Sequence, residues 1–317
     1  MKIAMIGAGG IGAYYAARLM NSGIDVVLTA RGEHLAALQS QGLKVVHPDF
    51  SFFSDNVNAV DTSQLPEVGE SGEFDLIIIA TKSATTVDIM TQLNDWLATS
   101  KVPVLSIQNG VRNEETIAKY VGRERTIGGL AVKIGGHIVA PGVIEATGIA
   151  RIEFGAWPNA DANPVLQKQL VTIIDCFLAA DIPATLENDI SAALWRKLII
   201  NNAMNPLSAL TYLDTKQITS HPVLTQTVYS MMQETARAAQ FEGIAISDGD
   251  VDRMYKLICE FDAIKTSMLV DREKGRTMEI EDICGPVIDN CRRAESPAIT
   301  TELIRSLLEA NAVATPS

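Results

Sequence analysis

The chain opens Met1-Lys2-Ile3-Ala4-Met5-Ile6-Gly7-Ala8-Gly9-Gly10-Ile11-Gly12, an apolar run that ends in G-x-G-x-x-G and passes into a helical pattern from Ile11 to Met20. Each spaced glycine has its own task in that setting. Gly7 permits the tight turn out of the strand, Gly9 lets the backbone approach a pyrophosphate, and Gly12 lets the helix pack close to the strand. With Ala8, Gly10 and Ile11 they form a loop whose backbone N–H groups sit at the positive end of the helix, where phosphates bind. The pattern predicts a strand–turn–helix unit that holds a dinucleotide.

The next apolar run, Ile24 to Ala30, reads as the second parallel strand and bears on which dinucleotide is held. A site for NAD usually ends this strand with Asp or Glu, about 20 residues after the glycines, to bind the ribose hydroxyls. Here no acid ends the strand and Arg31 follows it. A carboxylate repels a 2′-phosphate, whereas a guanidinium grips it through paired charge-assisted hydrogen bonds. The expected cofactor is therefore NADPH/NADP, with a solvated loop charge as the other reading of Arg31.

Alternation of strand and helix continues through the first half. A short helix (Glu33 to Gln41) precedes a strand at Leu43 to Val46, and the run Phe74 to Ala80 reads as a parallel strand apolar on both faces. Its following helix covers Ser83 to Leu97, and Pro103 to Ile107 is another strand. Four short β segments follow, at Thr126 to Lys133, His137 to Val139, Gly142 to Ala146 and Ala150 to Phe154. This order means an α/β, Rossmann-type doubly wound sheet with extra strands at one edge. Pro164 to Ala180 reads as a helix and Ile182 to Leu186 as a short strand. From Ile190 the pattern is almost wholly helical, punctuated at Asn205-Pro206, His221-Pro222, Gly243 and Gly285-Pro286. A junction at Glu187-Asn188 gives a nucleotide domain over residues 1–187 and an all-α domain over 188–317. The tail from Ala312 to Ser317 is expected to fray.

Composition narrows the function classes. A net charge of −12 over 317 residues disfavours nucleic acid and anionic membrane surfaces as partners. The N-terminus reads as a core strand rather than a signal peptide, and no apolar run is long enough to span a bilayer. Cys176, Cys259, Cys284 and Cys291 form no C-x-x-C pair and read as reduced thiols of a cytoplasmic protein. His34, His47, His137 and His221 lack metal-ligand spacing, so no metal is expected.

Catalytic groups are expected at strand ends of the first domain and at polar positions on the helices of the second. Lys197, Asn201 and Asn205 are spaced i, i+4, i+8 and form one helical stripe flanked by Leu194, Leu198, Ile199 and Ile200. Polar groups in such surroundings need a partner, which is either a bound substrate or a neighbouring helix. Ser267 opens a second polar stretch that runs to Glu279, within Met278-Glu279-Ile280; a solvated charged face is the competing reading. Lys82 and Asn109 stand just past two parallel strands, where such sheets bind ligands, though Asn109-Gly110 is also an ordinary turn pair.

Together these pieces resemble the ketopantoate reductase (2-dehydropantoate 2-reductase) family over nearly the whole chain. The likeness is carried by the Gly7 to Gly12 fingerprint, Arg31, Thr81-Lys82, Gln108-Asn109-Gly110, Trp195-Arg196-Lys197-Leu198 with Asn201 and Asn205-Pro206, and Ser267-Met268 ahead of Glu279. The resemblance implies a helical domain like the C-terminal one of 6-phosphogluconate dehydrogenase. It also implies NADPH-dependent reduction of 2-dehydropantoate to pantoate, on the way to pantothenate and coenzyme A. In it Lys197 corresponds to the general acid and Glu279 to the essential carboxylate, which also borders the cofactor. Asn109, Asn201, Asn205 and Ser267 correspond to the groups that hold the keto acid, and Lys82 and Asn109 to groups that contact the cofactor. An ammonium beside the carbonyl oxygen both stabilises developing charge and supplies the proton.

The chain departs from the family pattern at Ala146-Thr147-Gly148, where His-Thr-Gly is usual. It departs again after Glu279, at Ile280-Glu281-Asp282-Ile283-Cys284-Gly285, and near the C-terminus at Ala294-Glu295-Ser296-Pro297-Ala298-Ile299-Thr300. These changes bear on the substrate rather than on the type of reaction. The remaining alternatives are a reductase or dehydrogenase of another branched 2-keto or hydroxy acid, and a non-catalytic NADP-binding sensor. Self-association as a homodimer is an expectation from the apolar helical half. Replacing Arg31 with Ala is expected to raise the dissociation constant for NADPH on the order of tenfold, and far more than that for NADH. Fluorescence titration with both nucleotides measures this, and equal effects would remove Arg31 from the 2′-phosphate site.

Overall fold

The computed structural model describes residues 1–260 and 262–313, so the expected fraying of the tail past residue 313 lies outside the described residues. The chain divides into two compact units, one of Met1–Asn109 with Asn113–Ile190, the other of Gly110–Arg112 with Ser191–Ser317.

The strands of the first unit are β1 (Lys2–Ile6), β2 (Asp25–Thr29), β3 (Leu43–His47), β4 (Phe50–Ser54), β5 (Asn58–Val60), β6 (Leu76–Ile79), β7 (Val104–Ser106), β8 (Thr126–Ala140), β9 (Val143–Ala156) and β10 (Ala184–Leu186). Its helices are α1 (Gly10–Asn21), α2 (Gly32–Gln41), α3 (Leu65–Val68), α4 (Thr86–Gln92), α5 (Asn94–Ala98), α6 (Asn113–Val121) and α7 (Gln167–Ala179). One sheet holds all these strands in the order β4-β3-β9-β8-β7-β6-β1-β2-β5, with β10 also on β9. From β5 to β8 every pairing is parallel. This is the doubly wound arrangement, with the order reversing between β1 and β6. Beyond β8 the sheet turns mixed, because β9 runs antiparallel to β8 and β4 antiparallel to β3.

Alternation along the central strands explains why both faces are filled. Ile3 and Met5 of β1, with Leu76 and Ile78 of β6, enter one core with Ala13, Ala16 and Ala17 of α1 and Phe177 of α7. Ala4 and Ile6, with Ile77 and Ile79, enter the other with Ile89, Trp96 and Ile117 of α4, α5 and α6. A strand covered by helices on both sides has to be apolar at every position, which is what Leu76 to Ile79 displays.

The structure departs from the sequence expectations in four places. The third strand of the parallel order is the short β5, while the predicted strand at Leu43 pairs instead with β4 and β9. The four short β segments merge into the long hairpin β8–β9, which keeps its pairing across irregularities between Val132 and Ile134, at Lys133 (φ 50°), and between Ile138 and Ala140. Glycines inside it mark close backbone approach rather than turns. The helix expected over Ser83 to Leu97 is split into a 3₁₀ turn, α4 and α5.

The fourth departure lies in the second unit, whose helices are α8 (Ile190–Thr211), α9 (Thr215–Ser220), α10 (Leu224–Phe241), α11 (Asp248–Cys259), α12 (Ser267–Glu273), α13 (Ile280–Arg293) and α14 (Ile299–Val313). Pro206 and Pro286 sit inside α8 and α13 and end neither. Each forfeits one backbone hydrogen bond, a cost of about 3 kcal/mol that burial of the surrounding helix offsets. His221-Pro222 and Gly243 do separate helices, as expected from the sequence.

Buried polar contacts tie this unit together. The Glu234 carboxylate of α10 accepts from the Thr300 and Thr301 backbone N–H groups, each at 2.8 Å, and from Thr301 Oγ1 at 2.7 Å. It thus caps the positive end of α14 from another helix. Asn202 of α8 donates from Nδ2 to Thr235 Oγ1 and Thr301 Oγ1, both at 3.0 Å. Glu234→Ala leaves two buried N–H groups unpaired and is expected to cost on the order of 3 kcal/mol in urea unfolding. Glu234→Gln, which keeps an acceptor, should cost less; equal stability of the Ala variant and the wild type would contradict the capping role.

Candidate functional site

The glycine loop follows β1 and is defined by how closely other atoms approach it. Gly7 has φ +106°, and a Cβ there would lie 2.6 Å from Thr81 Cγ2. A Cβ on Gly12 would lie 2.1 Å from Gly7 O and 2.9 Å from Ala80 Cβ, so α1 packs backbone to backbone on its own strand. Gly10 is equally constrained, from another direction of the chain: its Cβ would lie 2.1 Å from Gly136 O in β8. Gly9 differs from all three, because its Cβ would meet nothing within 4 Å.

That open position coincides with an uncapped helix start. No side chain caps α1 at Gly9, and its first turn carries no acid. Backbone donors and positive partial charge with open space beside them suit an anionic pyrophosphate. The loop is held from below by Thr29, the last residue of β2: Gly7 N–H donates to its Oγ1 at 3.1 Å and Ala8 N–H to its carbonyl at 2.7 Å. Ala8 is buried, and Ile11 partly so. The residues present therefore fit a dinucleotide.

Arg31 is exposed at the start of α2, two residues past β2. Its acidic neighbour, which the sequence reading did not weigh, is Asp61, at the end of β5. Hydrogen bonds from the Ser63 backbone N–H and hydroxyl hold the Asp61 carboxyl below its ordinary range, and the Arg31 charge adds to this. Because β5 is so short, its pairing with β2 was not legible in the sequence, and neither was the acid that pairing delivers.

Lys82 is exposed after β6, and Asn109 is partly buried after β7. A polar network the sequence reading also missed ties these two loops. Gln108 Nε2 donates to Thr81 O at 3.1 Å and to Thr86 Oγ1 at 2.9 Å. Asn113 Nδ2 donates to Asn109 O at 2.7 Å, and Ser83 Oγ–H donates to the same carbonyl. The available signal was the placement of polar residues directly after apolar strands.

The other proposed residues lie in the second unit. Lys197, Asn201 and Asn205 occupy one face of α8; the first two are partly buried and Asn205 is 6% exposed. Among the described residues, the Asn201 and Asn205 side chains hydrogen-bond to none, whereas Asn202, one position along, bridges α10 and α14. An interhelical role is thus present at Asn202, one position off the stripe. Ser267 is exposed as the first residue of α12, and Glu279 is partly buried at the N-cap position of α13 without capping it. Between them the expected charged face is present as the ion pairs Lys265–Glu273 (2.7 Å) and Arg276–Asp271 (2.9 Å).

Among the described residues no three His, Cys, Asp or Glu side chains gather as metal ligands, and no helix is long and apolar enough to cross a membrane. Burial pushes the Cys284 thiol up to about 12, which leaves it inert as a nucleophile.

Two family models match this chain: Ketopantoate reductase PanE/ApbA over residues 3–159, and Ketopantoate reductase PanE/ApbA C terminal over residues 189–312. A 2-dehydropantoate 2-reductase of Pyrococcus abyssi is 30% identical over 309 residues, which is 98% of this chain and 97% of the relative. The crystal structure of 2-dehydropantoate 2-reductase from Geobacter metallireducens superposes with a TM-score of 0.85 at 29% identity, covering 98% of this chain and 100% of that one. A ternary structure of D-mandelate dehydrogenase with NADH and anilino(oxo)acetate shares the fold, with a TM-score of 0.88 at 22% identity over 99% of both chains.

The contrast between Gly9 and Gly12 is testable. Gly9→Ala should leave the melting temperature nearly unchanged while raising the NADPH dissociation constant about tenfold, because its methyl group occupies the open position. Gly12→Ala should lower stability by about 1–3 kcal/mol and weaken binding as well. Thermal melts with and without NADPH separate the two, and a Gly9→Ala protein that binds as the wild type does would move the phosphates elsewhere.

Proposed function

The chain belongs to the ketopantoate reductase family, whose members are NAD(P)-dependent oxidoreductases acting on CH–OH groups, and from that premise we propose that it reduces 2-dehydropantoate to pantoate with NADPH. The observation that carries the reading is the α8 stripe. A lysine and two asparagines share one face in a helix of apolar neighbours, and the asparagine amides have no protein partner among the described residues. Asn201 is partly buried and Asn205 is buried as a residue, so their amides are set among apolar neighbours where a small polar substrate can take their hydrogen bonds.

In this reading Arg31 grips the 2′-phosphate, the Gly7–Gly12 loop holds the pyrophosphate, and Lys82 and Asn109 contact the rest of the nucleotide. When bound, NADPH supplies a hydride to the keto carbon. Asn109, Asn201, Asn205 and Ser267 hydrogen-bond the keto acid and fix its orientation. Lys197 Nζ donates a hydrogen bond to the keto oxygen, stabilises the charge that builds there and transfers the proton that completes the alcohol. Glu279 supplies a negative charge to this part of the site. The product serves pantothenate and coenzyme A synthesis. We also infer that the chain self-associates as a dimer, which the exposed row Ile299, Leu303 and Leu307 along α14 favours.

Following NADPH absorbance with 2-dehydropantoate and a panel of other 2-keto acids tests the reading. Consumption with 2-dehydropantoate is expected, and Lys197→Ala should lose about 10²–10⁴-fold in kcat while still binding NADPH. Turnover only of other 2-keto acids would reassign the substrate. Nucleotide binding without any turnover would reduce the protein to a sensor, and normal kcat in Lys197→Ala would remove that residue from proton transfer.

A further inference from the structure

His34 lies on α2 and is absent from every role described so far. Its Nε2 is 2.8 Å from Ala8 O in the glycine loop, and its Nδ1 is 3.0 Å from Gly142 N in the turn between β8 and β9. The second contact settles the first. A backbone N–H only donates, so Nδ1 presents its lone pair to Gly142 and the ring proton sits on Nε2, aimed at Ala8 O. Gly142 is a firm anchor, since it has φ +75°, its Cβ would lie 2.9 Å from Gly42 O, and its own carbonyl accepts from Lys44 N at 2.8 Å. Burial holds the imidazole below its ordinary range despite the opposing bond to Ala8, in keeping with a neutral ring.

The consequence follows from peptide planarity. The Ala8 carbonyl and the Gly9 N–H belong to one rigid trans unit and point in opposite directions, so fixing one fixes the other. The Ala8 N–H is already committed to Thr29 O at 2.7 Å. Once His34 grips the carbonyl, no rotation of the Ala8–Gly9 peptide remains. Gly9 is also the position beside which nothing lies within 4 Å of a Cβ.

We propose that His34 is a positioning residue for nucleotide binding, which locks the Ala8–Gly9 peptide between α2 and the β8–β9 turn and so aims the Gly9 N–H at the pyrophosphate. This rests on the nucleotide reading of the loop. It predicts an effect confined to ligands that carry a pyrophosphate.

Calorimetric titration of the full chain tests it with two ligands: NADPH, and adenosine 2′-phosphate, which carries the phosphate assigned to Arg31 but no pyrophosphate. The proteins are the wild type, His34→Leu, which keeps the bulk without donor or acceptor, and His34→Gln, which offers both. For His34→Leu the NADPH dissociation constant should rise about tenfold, while that for adenosine 2′-phosphate changes less than about twofold. His34→Gln should recover most of the loss. If His34→Leu does not fold, His34→Asn takes its place, since its shorter side chain spans only one of the two bonds and should lose NADPH affinity selectively. Equal weakening of both ligands, unchanged NADPH binding in the Leu variant, or a Gln variant as weak as Leu would each overturn the proposal. A wild type that binds neither NADPH nor NADH sinks the nucleotide reading and this inference with it. Normal wild-type binding with an indifferent His34→Leu sinks the inference alone.

Discussion

The start of α1 is pressed against two other stretches of backbone, and the nucleotide half is organised around that contact. Gly12 lies so close to Gly7 that a methyl group would stand 2.1 Å from its carbonyl oxygen, and Gly10 lies as close to Gly136 in β8. Neither approach tolerates a side chain, since real Cβ atoms do not sit so near backbone. The first contact sets the helix directly on β1, and the second brings the β8–β9 hairpin over the helix start. Between them Gly9 is left open, with uncapped N–H groups beside it. The loop is therefore tightly packed where it meets protein and open beside Gly9, an arrangement that would place the ordering cost of an anion site there in folding rather than in ligand association.

The helical unit solves a different problem, namely where polar groups go among apolar helices. Glu234 and the amide nitrogens of Asn202 and Asn290 spend their hydrogen bonds on neighbouring helices: Glu234 on the N-terminus of α14, Asn202 Nδ2 on Thr235 and Thr301, Asn290 Nδ2 on Ala238 O and Glu242, while the Oδ1 atoms of both asparagines are buried without a partner among the described residues. Asn201 and Asn205 spend none on the described residues. Adjacent positions on a helix point about 100° apart, so the face of α8 that carries Asn202 contacts α10 and α14 while Asn201 and Asn205 lie on another. That division sets Asn202 apart from Asn201 and Asn205 by its contacts alone.

Elements whose physics is local were legible in the sequence. The glycine spacing, the run from Phe74 to Ala80 and the i, i+4, i+8 stripe all declare themselves through steric need or periodicity. What escaped reading depends on distant pairing. The strand β5 has only Asn58, Ala59 and Val60 and owes its existence to β2. Gly135, Gly136 and Gly148 carry the signature of turns but sit within paired strands, because their partner is a backbone elsewhere in the chain. Pro206 and Pro286 read as breaks because the hydrogen bond they forfeit is local, whereas the packing that outweighs it is not. His34 shows the same limit at the site: nothing about Glu33-His34-Leu35 betrays that its ring joins Ala8 to Gly142.

Nucleotide choice illustrates how such distant pairing changes an argument based on one residue. Arg31 read alone suggests a phosphate-binding end of β2, but the pairing of β5 with β2 sets Asp61 within its electrostatic reach. The carboxylate is held in place by the Ser63 N–H and hydroxyl, which both bond it through Oδ1 without saturating it. It still lowers the net positive field that a 2′-phosphate would feel. Arg31 is exposed, and at a solvent-exposed site long-range attraction is screened within about 8 Å at physiological salt. Discrimination must then come mainly from short, paired hydrogen bonds between guanidinium and phosphate rather than from charge at a distance. A ribose hydroxyl in the same place loses those bonds but gains an acid within reach of the same corner. The two side chains therefore pull in opposite directions, and at a nucleotide site of this kind the balance between them would set how strongly the phosphorylated form is separated from the unphosphorylated one.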